Sequence, residues 1–226
     1  MIKAVFIDAI KTIFAPFPSE VGLYKKVIHD LTGKDMSEVE IQTILDRAMS
    51  ETEKLDSVKE NSFQQWEYYP ARIAELVGCV GNECDVMGER IRYETWGNPK
   101  NYRLYEDVIP TLKTLKSKNI FIACVSNEDG WLESFFDHFG IREYFSFILT
   151  SAELGVEKPN PKLFLEAISR TVFEADEIIH IGDSTVSDYR GSEAVGMKPL
   201  LIDRDSKNKD NDIVSISDMT KLLEYL

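Results

Sequence analysis

The chain has 226 residues, of which 43% are hydrophobic and 29% are charged, a balance that supports a buried core and excludes a disordered or fibrous protein. Its 26 basic and 39 acidic residues give a formal net charge of −13. Because a surface this acidic repels the phosphates of nucleic acids and anionic lipids, we expect neither nucleic acid nor a membrane as a partner.

The N-terminus and the cysteines indicate the compartment. The apolar run at residues 2–7 is too short for a membrane span, and with Asp8 behind it the segment does not have the pattern of a signal peptide. Cys79, Cys84 and Cys124 make an odd number, and no secretory feature accompanies them. Reduced thiols in a cytoplasmic protein are therefore the prediction.

Five short apolar runs predict buried parallel β-strands, and a polar residue follows each run. The runs are residues 2–7, 120–125, 145–149, 178–181 and 199–202. Helical patterns separate the later runs, and two of them have clear ends, with Gly140 as a stop signal and Asn160-Pro161 as a start signal. This alternation predicts an α/β fold whose core is a Rossmann-like, doubly wound parallel sheet.

Residues 17–100 differ from the rest, because they show helical periodicity and no clear strand. Residues 37–40 form a capping-box pattern that opens a helix. A later apolar stripe that includes Phe63 and Val77 predicts another helix, interrupted near Pro70. The sequence thus predicts a helical cap domain at 17–100, inserted into a core made of 1–16 and 101–226.

The carboxyl ends of the predicted strands carry the candidate functional residues. In open α/β sheets ligands bind beyond these ends, which selects Asp8, Ser126 and Asp183. Asp8 is suited to act as a nucleophile or as a metal ligand. Asp183 and Asp188, in the segment GDSTVSD, place two more carboxylates nearby, and oxygen ligands of this kind favour Mg²⁺.

Two further residues suit an anionic substrate. Ser126 can donate a hydrogen bond to an anion, and Lys158, in the segment VEKP, can neutralise charge that develops on a transferring phosphoryl group. Taken singly, each of these residues is typical of a turn, a helix cap or a solvated surface. Their joint occurrence at the ends of three strands in fixed order, together with a lysine loop, predicts a site for phosphate chemistry.

Four ordered segments carry a family resemblance, and they are residues 8–12 (DAIKT), 125–127 (VSN), 158–161 (KPNP) and 182–188 (GDSTVSD). In these segments the chain resembles the haloacid dehalogenase-like hydrolase superfamily. Within it, the resemblance is to the subgroup in which a helical cap follows the first core strand, near the domain-containing-protein-3 type. The resemblance covers the whole predicted core, whereas the cap matches only in position and helical character.

The resemblance implies a magnesium-dependent phosphatase-like hydrolase of small phosphorylated metabolites, monomeric or homodimeric. Asp8 would attack phosphorus and form an aspartyl-phosphate. Asp183 and the backbone carbonyl of Ile10 would join Asp8 around Mg²⁺, with Asp188 supporting the metal. The phosphoryl oxygens would be bound by Ser126, Asn127 and Lys158.

Ile10 departs from the pattern of the family, whose phosphatases carry a second Asp at this position as general acid and base. Isoleucine cannot transfer a proton, and losing such a group typically costs about 10²–10⁴-fold in rate. Three explanations are open. The substrate has a good leaving group that needs no proton, or another residue such as Lys11, Tyr24 or His29 transfers the proton instead, or turnover is slow. Two alternative functions follow, a 2-haloacid dehalogenase and a weakly active or non-catalytic phosphate-binding protein. The segment that contains Asp183 and Asp188 weighs against the dehalogenase.

Two expectations concern residues outside these motifs. His180 lies on a predicted strand, and we expect its side chain to point into the sheet layer and away from the site. Residues 203–212 are polar and charged, which predicts an exposed loop.

Overall fold

The computed structural model describes residues 1–55 and 65–226. It contains two compact units, a core unit of Met1–Ala15 with Arg103–Leu226 and a helical unit of Pro16–Tyr102. The predicted helix position at Phe63 lies outside the described residues. The roles of catalytic core and cap, which we assign to these two parts of the chain, stay predictions.

The core unit is built on a six-stranded sheet with the spatial order β5-β4-β1-β6-β7-β8, in which the recorded strand pairs are parallel. A second sheet pairs β2 with β3. The strands are β1 (Ala4–Ile7), β2 (Phe14–Pro16), β3 (Tyr102–Leu104), β4 (Phe121–Ser126), β5 (Phe147–Thr150), β6 (Ile178–Gly182), β7 (Lys198–Ile202) and β8 (Ser215–Ile216). The predicted α/β fold is therefore confirmed, and the five predicted strands lie within two residues of the observed bounds.

The order of the strands places the candidate site. From β1 the sheet grows outward through β4 to β5, and the chain then returns to the other side of β1 to add β6, β7 and β8. This reversal beside β1 is the topological switch point at which ligands bind in such folds. Ile7 pairs with Cys124 on one side and with Ile181 on the other, so the carboxyl ends of β1, β4 and β6 meet at one edge of the sheet.

Helices follow the strands of the core unit, and both predicted helix signals are confirmed. Gly140 has a φ of 64°, a backbone conformation that ends the preceding helix, and the side chain of Asn160 accepts a hydrogen bond from the backbone N–H of Lys162. The α-helices are Val108–Ser117, Leu132–His138, Ser151–Leu154, Pro161–Ser169 and Gly191–Glu193. The 3₁₀ segments of this unit include Arg142–Tyr144, Ala175–Glu177 and Met219–Tyr225, and a π-helical segment is Thr185–Arg190.

In the described residues the helical unit contains α1 (Glu20–Thr32), α2 (Glu38–Thr52), α3 (Gln65–Leu76) and α4 (Glu83–Arg92). A π-helical segment, Tyr93–Gly97, and a 3₁₀ segment, Pro99–Asn101, follow α4. Ser37 forms the predicted capping box at the start of α2. None of the helices in the described ranges is long and apolar enough to cross a membrane.

The predicted interruption at Pro70 is wrong, because α3 continues through this residue. A proline inside a helix removes one backbone hydrogen bond, and close packing against α4 accompanies this loss. A Cβ on Gly88 of α4 would lie 2.8 Å from the backbone of Ala71, so α4 approaches the proline-containing turn as closely as only glycine permits. Tertiary packing therefore outweighs the local preference.

A cluster of buried aromatic rings lies in the core unit, next to the loop that follows β1. The ring of Phe14 is fully buried and meets the rings of Phe135 and Phe136 edge to face, with centroids 5.4 and 5.3 Å apart. Phe14 thus fixes the end of that loop by burial.

We expect Phe14→Ala to lower the free energy of unfolding by about 3–5 kcal/mol, because it removes a buried ring and leaves a cavity. Denaturant unfolding followed by circular dichroism measures the change. The exposed Leu165 provides the control, since Leu165→Ala at a side chain that is 55% exposed should change stability by less than about 0.5 kcal/mol. Equal effects of the two substitutions would contradict the structural role of Phe14.

Candidate active site

Asp8 lies directly after β1, and its carboxylate is almost fully buried. The backbone N–H of Asp8 donates to the carbonyl of Ile181 at 2.9 Å, which continues the pairing with β6. The hydroxyl of Ser126, at the end of β4, donates to Asp8 Oδ1 at 2.8 Å, and the hydroxyl of Thr12 lies 3.4 Å from Oδ2. The buried carboxylate is therefore oriented by hydrogen bonds from the end of β4 and from the loop after β1.

Lys158 joins Asp8 to Asp188. Its Nζ lies 2.6 Å from Asp8 Oδ1, 2.5 Å from Asp188 Oδ1 and 3.0 Å from the carbonyl oxygen of Val125. An ammonium group has three protons to donate, so these three acceptors use all of them. The lysine side chain is 2% exposed, which removes the predicted alternative of a solvated surface lysine.

Asn127 positions the backbone of Lys158. The side-chain amide of Asn127 donates to the Lys158 carbonyl at 2.9 Å, and its amide oxygen accepts from the Lys158 N–H at 2.7 Å. This paired arrangement connects the end of β4 to the lysine loop. The side chain of Asn127 is thus committed to Lys158, and any contact of Asn127 with a phosphoryl group would come from its backbone.

Asp188 is positioned by the segment that follows β6. Its Oδ2 accepts from the backbone N–H of Ser184 at 3.0 Å, and its Oδ1 lies 2.9 Å from His180 Nε2. A Cβ on Gly182 would lie 2.1 Å from the Asp188 carboxyl carbon, so only glycine leaves room for this carboxylate.

The expectation for His180 is therefore confirmed in one part and wrong in the other, because its ring is buried against Phe164 but its Nε2 reaches Asp188 in the site. Side chains alternate along a strand, so positions 180 and 182 face the same side of β6, and the Asp188 carboxylate packs against both. The two-residue spacing to Gly182 is the signal in the sequence that could have identified His180. Thr12, four residues after Asp8, belongs to the first motif, but its contact with the Asp8 carboxylate was not predicted.

The electrostatics of the cluster depend on burial and on mutual repulsion. Burial raises the pKa of Asp8, and the charge of Asp188 adds to this effect while Lys158 opposes it. Burial acts in the same direction on Asp188, but Lys158 and His180 hold the pKa of Asp188 below its usual range. Although Asp183 is exposed as a whole residue, desolvation of its carboxyl group and the charges of Asp8 and Asp188 raise its pKa to about 7.

The donor set of this cluster fits a hard divalent cation. Asp8, Asp183 and Asp188 each place a carboxylate oxygen within 4.8 Å of the others. With all three ionised and Lys158 protonated, the cluster carries two excess negative charges. Oxygen-only ligands with this charge suit Mg²⁺. Desolvation and the charges of Asp8 and Asp188 raise the pKa of Asp183, and a bound cation would relieve the part that comes from those charges. The loop after Asp8 also contains Ile10, whose backbone carbonyl we predicted as a further ligand.

The sequence model of the family described as haloacid dehalogenase-like hydrolase matches residues 41–202. The chain belongs to this family. The mouse haloacid dehalogenase-like hydrolase domain-containing protein 3 is 36% identical over 143 residues, which cover 59% of this chain and 57% of that protein. The chain thus spans little more than half the length of this curated relative.

Two other similarities concern an enzyme and a fold. A glyceraldehyde 3-phosphate phosphatase from Methanopyrus kandleri is 36% identical over 103 residues, which cover 44% of this chain and 43% of that enzyme. The crystal structure of the haloacid dehalogenase-type hydrolase YfnB from Bacillus subtilis superposes with a TM-score of 0.79 at 17% identity, covering 100% of this chain and 98% of that one. At this identity the superposition shows a shared fold only.

We expect Lys158→Met to lower the free energy of unfolding by roughly 3–5 kcal/mol at neutral pH, because it leaves the buried carboxylates of Asp8 and Asp188 without their shared cation. The raised pKa of Asp8 means that the carboxyl protonates readily as the pH falls, and protonation removes the repulsion. The loss of stability should therefore be greatest at neutral pH and smaller in mild acid. Denaturant titrations with a chelator present, at several pH values, measure this difference.

Lys162 is the matched control, because it is an exposed lysine close to Lys158 in sequence. Lys162→Met should change stability by less than about 0.5 kcal/mol at any pH in this range. Adding Asp8→Asn to Lys158→Met should recover part of the lost stability. A loss that is the same at neutral and acidic pH would show that charge compensation is not the role of Lys158.

Proposed function

We propose that this protein is a magnesium-dependent phosphatase-like hydrolase that acts on small phosphorylated metabolites through an aspartyl-phosphate on Asp8. The observation that carries the proposal is the buried Asp8 carboxylate with Ser126 and Lys158 donors at 2.8 and 2.6 Å, beside two further carboxylates. A nucleophile next to anion-binding donors and an oxygen-rich cation site is the arrangement that phosphoryl transfer requires.

The chemistry that we propose has two steps. An oxygen of Asp8 attacks the phosphorus of a monoester, and the bond from phosphorus to the leaving oxygen breaks as the new bond forms. Water then attacks the same phosphorus, which releases inorganic phosphate and restores the carboxylate of Asp8. The overall reaction consumes one phosphate monoester or acyl phosphate and one water, and it yields one alcohol or carboxylic acid and one inorganic phosphate.

Three groups would bind the transferring phosphoryl group. The Lys158 ammonium and the Ser126 hydroxyl both contact Asp8 Oδ1, so they lie within reach of a phosphoryl group attached to that carboxylate. The backbone of Asn127 would supply a further donor. Asp8, Asp183 and the Ile10 carbonyl would hold Mg²⁺, supported by Asp188, and the bound ion would neutralise charge on the phosphoryl oxygens.

Ile10 limits the substrates that this site can process quickly. The leaving oxygen of an alkyl ester needs a proton as its bond to phosphorus breaks, and an isoleucine side chain supplies none. We therefore propose that the preferred substrates are acyl phosphates or esters whose leaving groups are weak bases.

Two alternative functions, a phosphate-binding protein and a dehalogenase, are also suggested by Ile10. A non-catalytic phosphate-binding protein would keep the Lys158 and Ser126 donors and would need no proton donor at position 10. A 2-haloacid dehalogenase would also lack an acid there, but its substrate is a carboxylate. Displacement of halide needs no cation, so the three carboxylates that fit one would have no role in a dehalogenase and, uncompensated, would repel an anionic substrate.

We expect the wild-type protein to release phosphate from acetyl phosphate or p-nitrophenyl phosphate with Mg²⁺, and a chelator to abolish the release. Asp8→Asn should reduce release to background, because an amide cannot attack phosphorus. Asp176→Asn, at an exposed aspartate, is the matched control and should retain activity. No release from a broad panel of phosphate esters would refute the hydrolase, whereas halide release from 2-haloacids in the presence of a chelator would favour the dehalogenase.

Ile10→Asp should raise the rate with alkyl phosphate esters by about 10²–10⁴-fold, because it restores a group that can transfer a proton. The kcat/KM for p-nitrophenyl phosphate should change much less, since this parameter reports the first step and the p-nitrophenolate leaving group departs without protonation. Steady-state kinetics with both ester types measure the difference, and Ile10→Asn controls for polarity without proton transfer. If both Ile10→Asp and the wild type are inert while phosphate raises the melting temperature, the binding protein is favoured.

A further inference from the structure

Arg204 lies two residues beyond β7, in a segment that the sequence predicts to be an exposed loop. For this residue the prediction is wrong, because its side chain is only 15% exposed. Its two terminal nitrogens bind both carboxylate oxygens of Asp107, at 2.8 and 3.2 Å. Nη2 also donates to the backbone carbonyl of Thr12 at 2.7 Å. Arg204 therefore connects the segment after β7 to the loop after β1.

Other contacts fix the orientation of this guanidinium group. Its plane lies over the ring of Tyr105, with 3.6 Å between the guanidinium carbon and the ring centroid. Asp107 is itself buried and accepts a further hydrogen bond from the backbone N–H of Met219 at 2.6 Å. An arginine held by a bidentate carboxylate and an aromatic ring has little freedom, so the atom that it binds on Thr12 is held in place as well.

The loop that contains Thr12 is compact. The carbonyl of Ala9 accepts hydrogen bonds from the backbone N–H groups of Ile13 and Phe14, at 2.7 and 3.0 Å. Lys11 adopts a φ of 63°, which is uncommon for a residue with a side chain. The hydroxyl of Thr12 faces Asp8 Oδ2 at 3.4 Å while its carbonyl binds Arg204. One residue thus links the arginine to the candidate nucleophile.

We propose that Arg204 is a positioning residue for the reaction, which acts through Thr12 to fix the loop that carries Asp8 and the carbonyl of Ile10. This inference rests on the proposed function and assigns a role to a residue outside the four motifs. A planar guanidinium can bind a carboxylate with two nitrogens and a carbonyl at the same time, which the single nitrogen of lysine cannot reproduce.

The first test is kinetic. Arg204→Ala should lower kcat for p-nitrophenyl phosphate by about 10²-fold, because a misplacement of the nucleophile of about 1 Å costs this much. The KM should change far less, since Arg204 does not act on the bound substrate. Added guanidinium ion should restore part of the lost kcat, which a general loss of stability would not show. Arg204→Lys should regain less of the lost kcat than added guanidinium ion restores to Arg204→Ala.

Arg170→Ala is the matched control. Arg170 also binds carboxylates, those of Glu153 and Glu166 at 2.6 and 3.0 Å, and lies over the ring of Phe147. It shares with Arg204 the kinds of side chain that it contacts, carboxylates and an aromatic ring, but its hydrogen bonds go to Glu153 and Glu166 instead of the Thr12 loop. Its substitution should leave kcat unchanged and show no response to guanidinium.

The second test does not need activity. Hydrogen–deuterium exchange of the Ile13 and Phe14 amides should be faster in both Arg204 variants than in the wild type, and unchanged in Arg170→Ala. Unchanged exchange, or a folded Arg204→Ala with wild-type kcat, would overturn the positioning role. If the wild type releases no phosphate, the proposed function fails, and the exchange measurement alone decides whether Arg204 fixes the loop.

Discussion

The candidate site depends on one buried ammonium group. Lys158 binds Asp8, Asp188 and the Val125 carbonyl, which come from three separate segments of the chain. A buried carboxylate pair without this cation would be strongly unfavourable, and so would a buried lysine without the carboxylates. Opposite charges therefore stabilise one another only when all three segments are in place, and this mutual dependence makes Lys158 the central contact of the site.

The topology of the sheet explains why those segments meet. The chain reverses its direction of growth beside β1, which places the ends of β4 and β6 on either side of Asp8. Contacts with the backbone then set the positions of the Asp188 and Lys158 side chains. Gly182 leaves room for the carboxylate of Asp188, and Asn127 binds the backbone of Lys158, so the ammonium arrives with its donors directed at their acceptors. The fold thus supplies proximity, and local hydrogen bonds supply orientation.

The sequence predicts the parts of this structure that depend on local patterns. Apolar runs identify five strands, the capping box identifies the start of α2, and a polar residue after each strand identifies Asp8 and its neighbours. Contacts between residues far apart in the sequence leave no local pattern and cannot be predicted in this way. The hydrogen bond from Arg204 to Thr12, which spans 192 positions, is an example. At Pro70 a local pattern gives the wrong prediction. Proline tends to interrupt a helix, but close packing of this turn against Gly88 outweighs that tendency. The strand β8 has only two residues, too few for a pattern.

The charge balance of the site and the side chain at position 10 together narrow the chemistry that this protein would perform. Asp8, Asp183 and Asp188 place carboxylate oxygens close together, an arrangement that fits a divalent cation, which the displacement of halide from a haloacid would not use. Ile10 places an apolar group where a proton donor would assist an alkoxide to leave. The first constraint selects for a substrate that brings phosphoryl oxygens to a cation, and the second selects for one whose leaving group departs as a stable anion. An activated phosphate compound satisfies both constraints, whereas an alkyl ester satisfies only the first and a haloacid only the second.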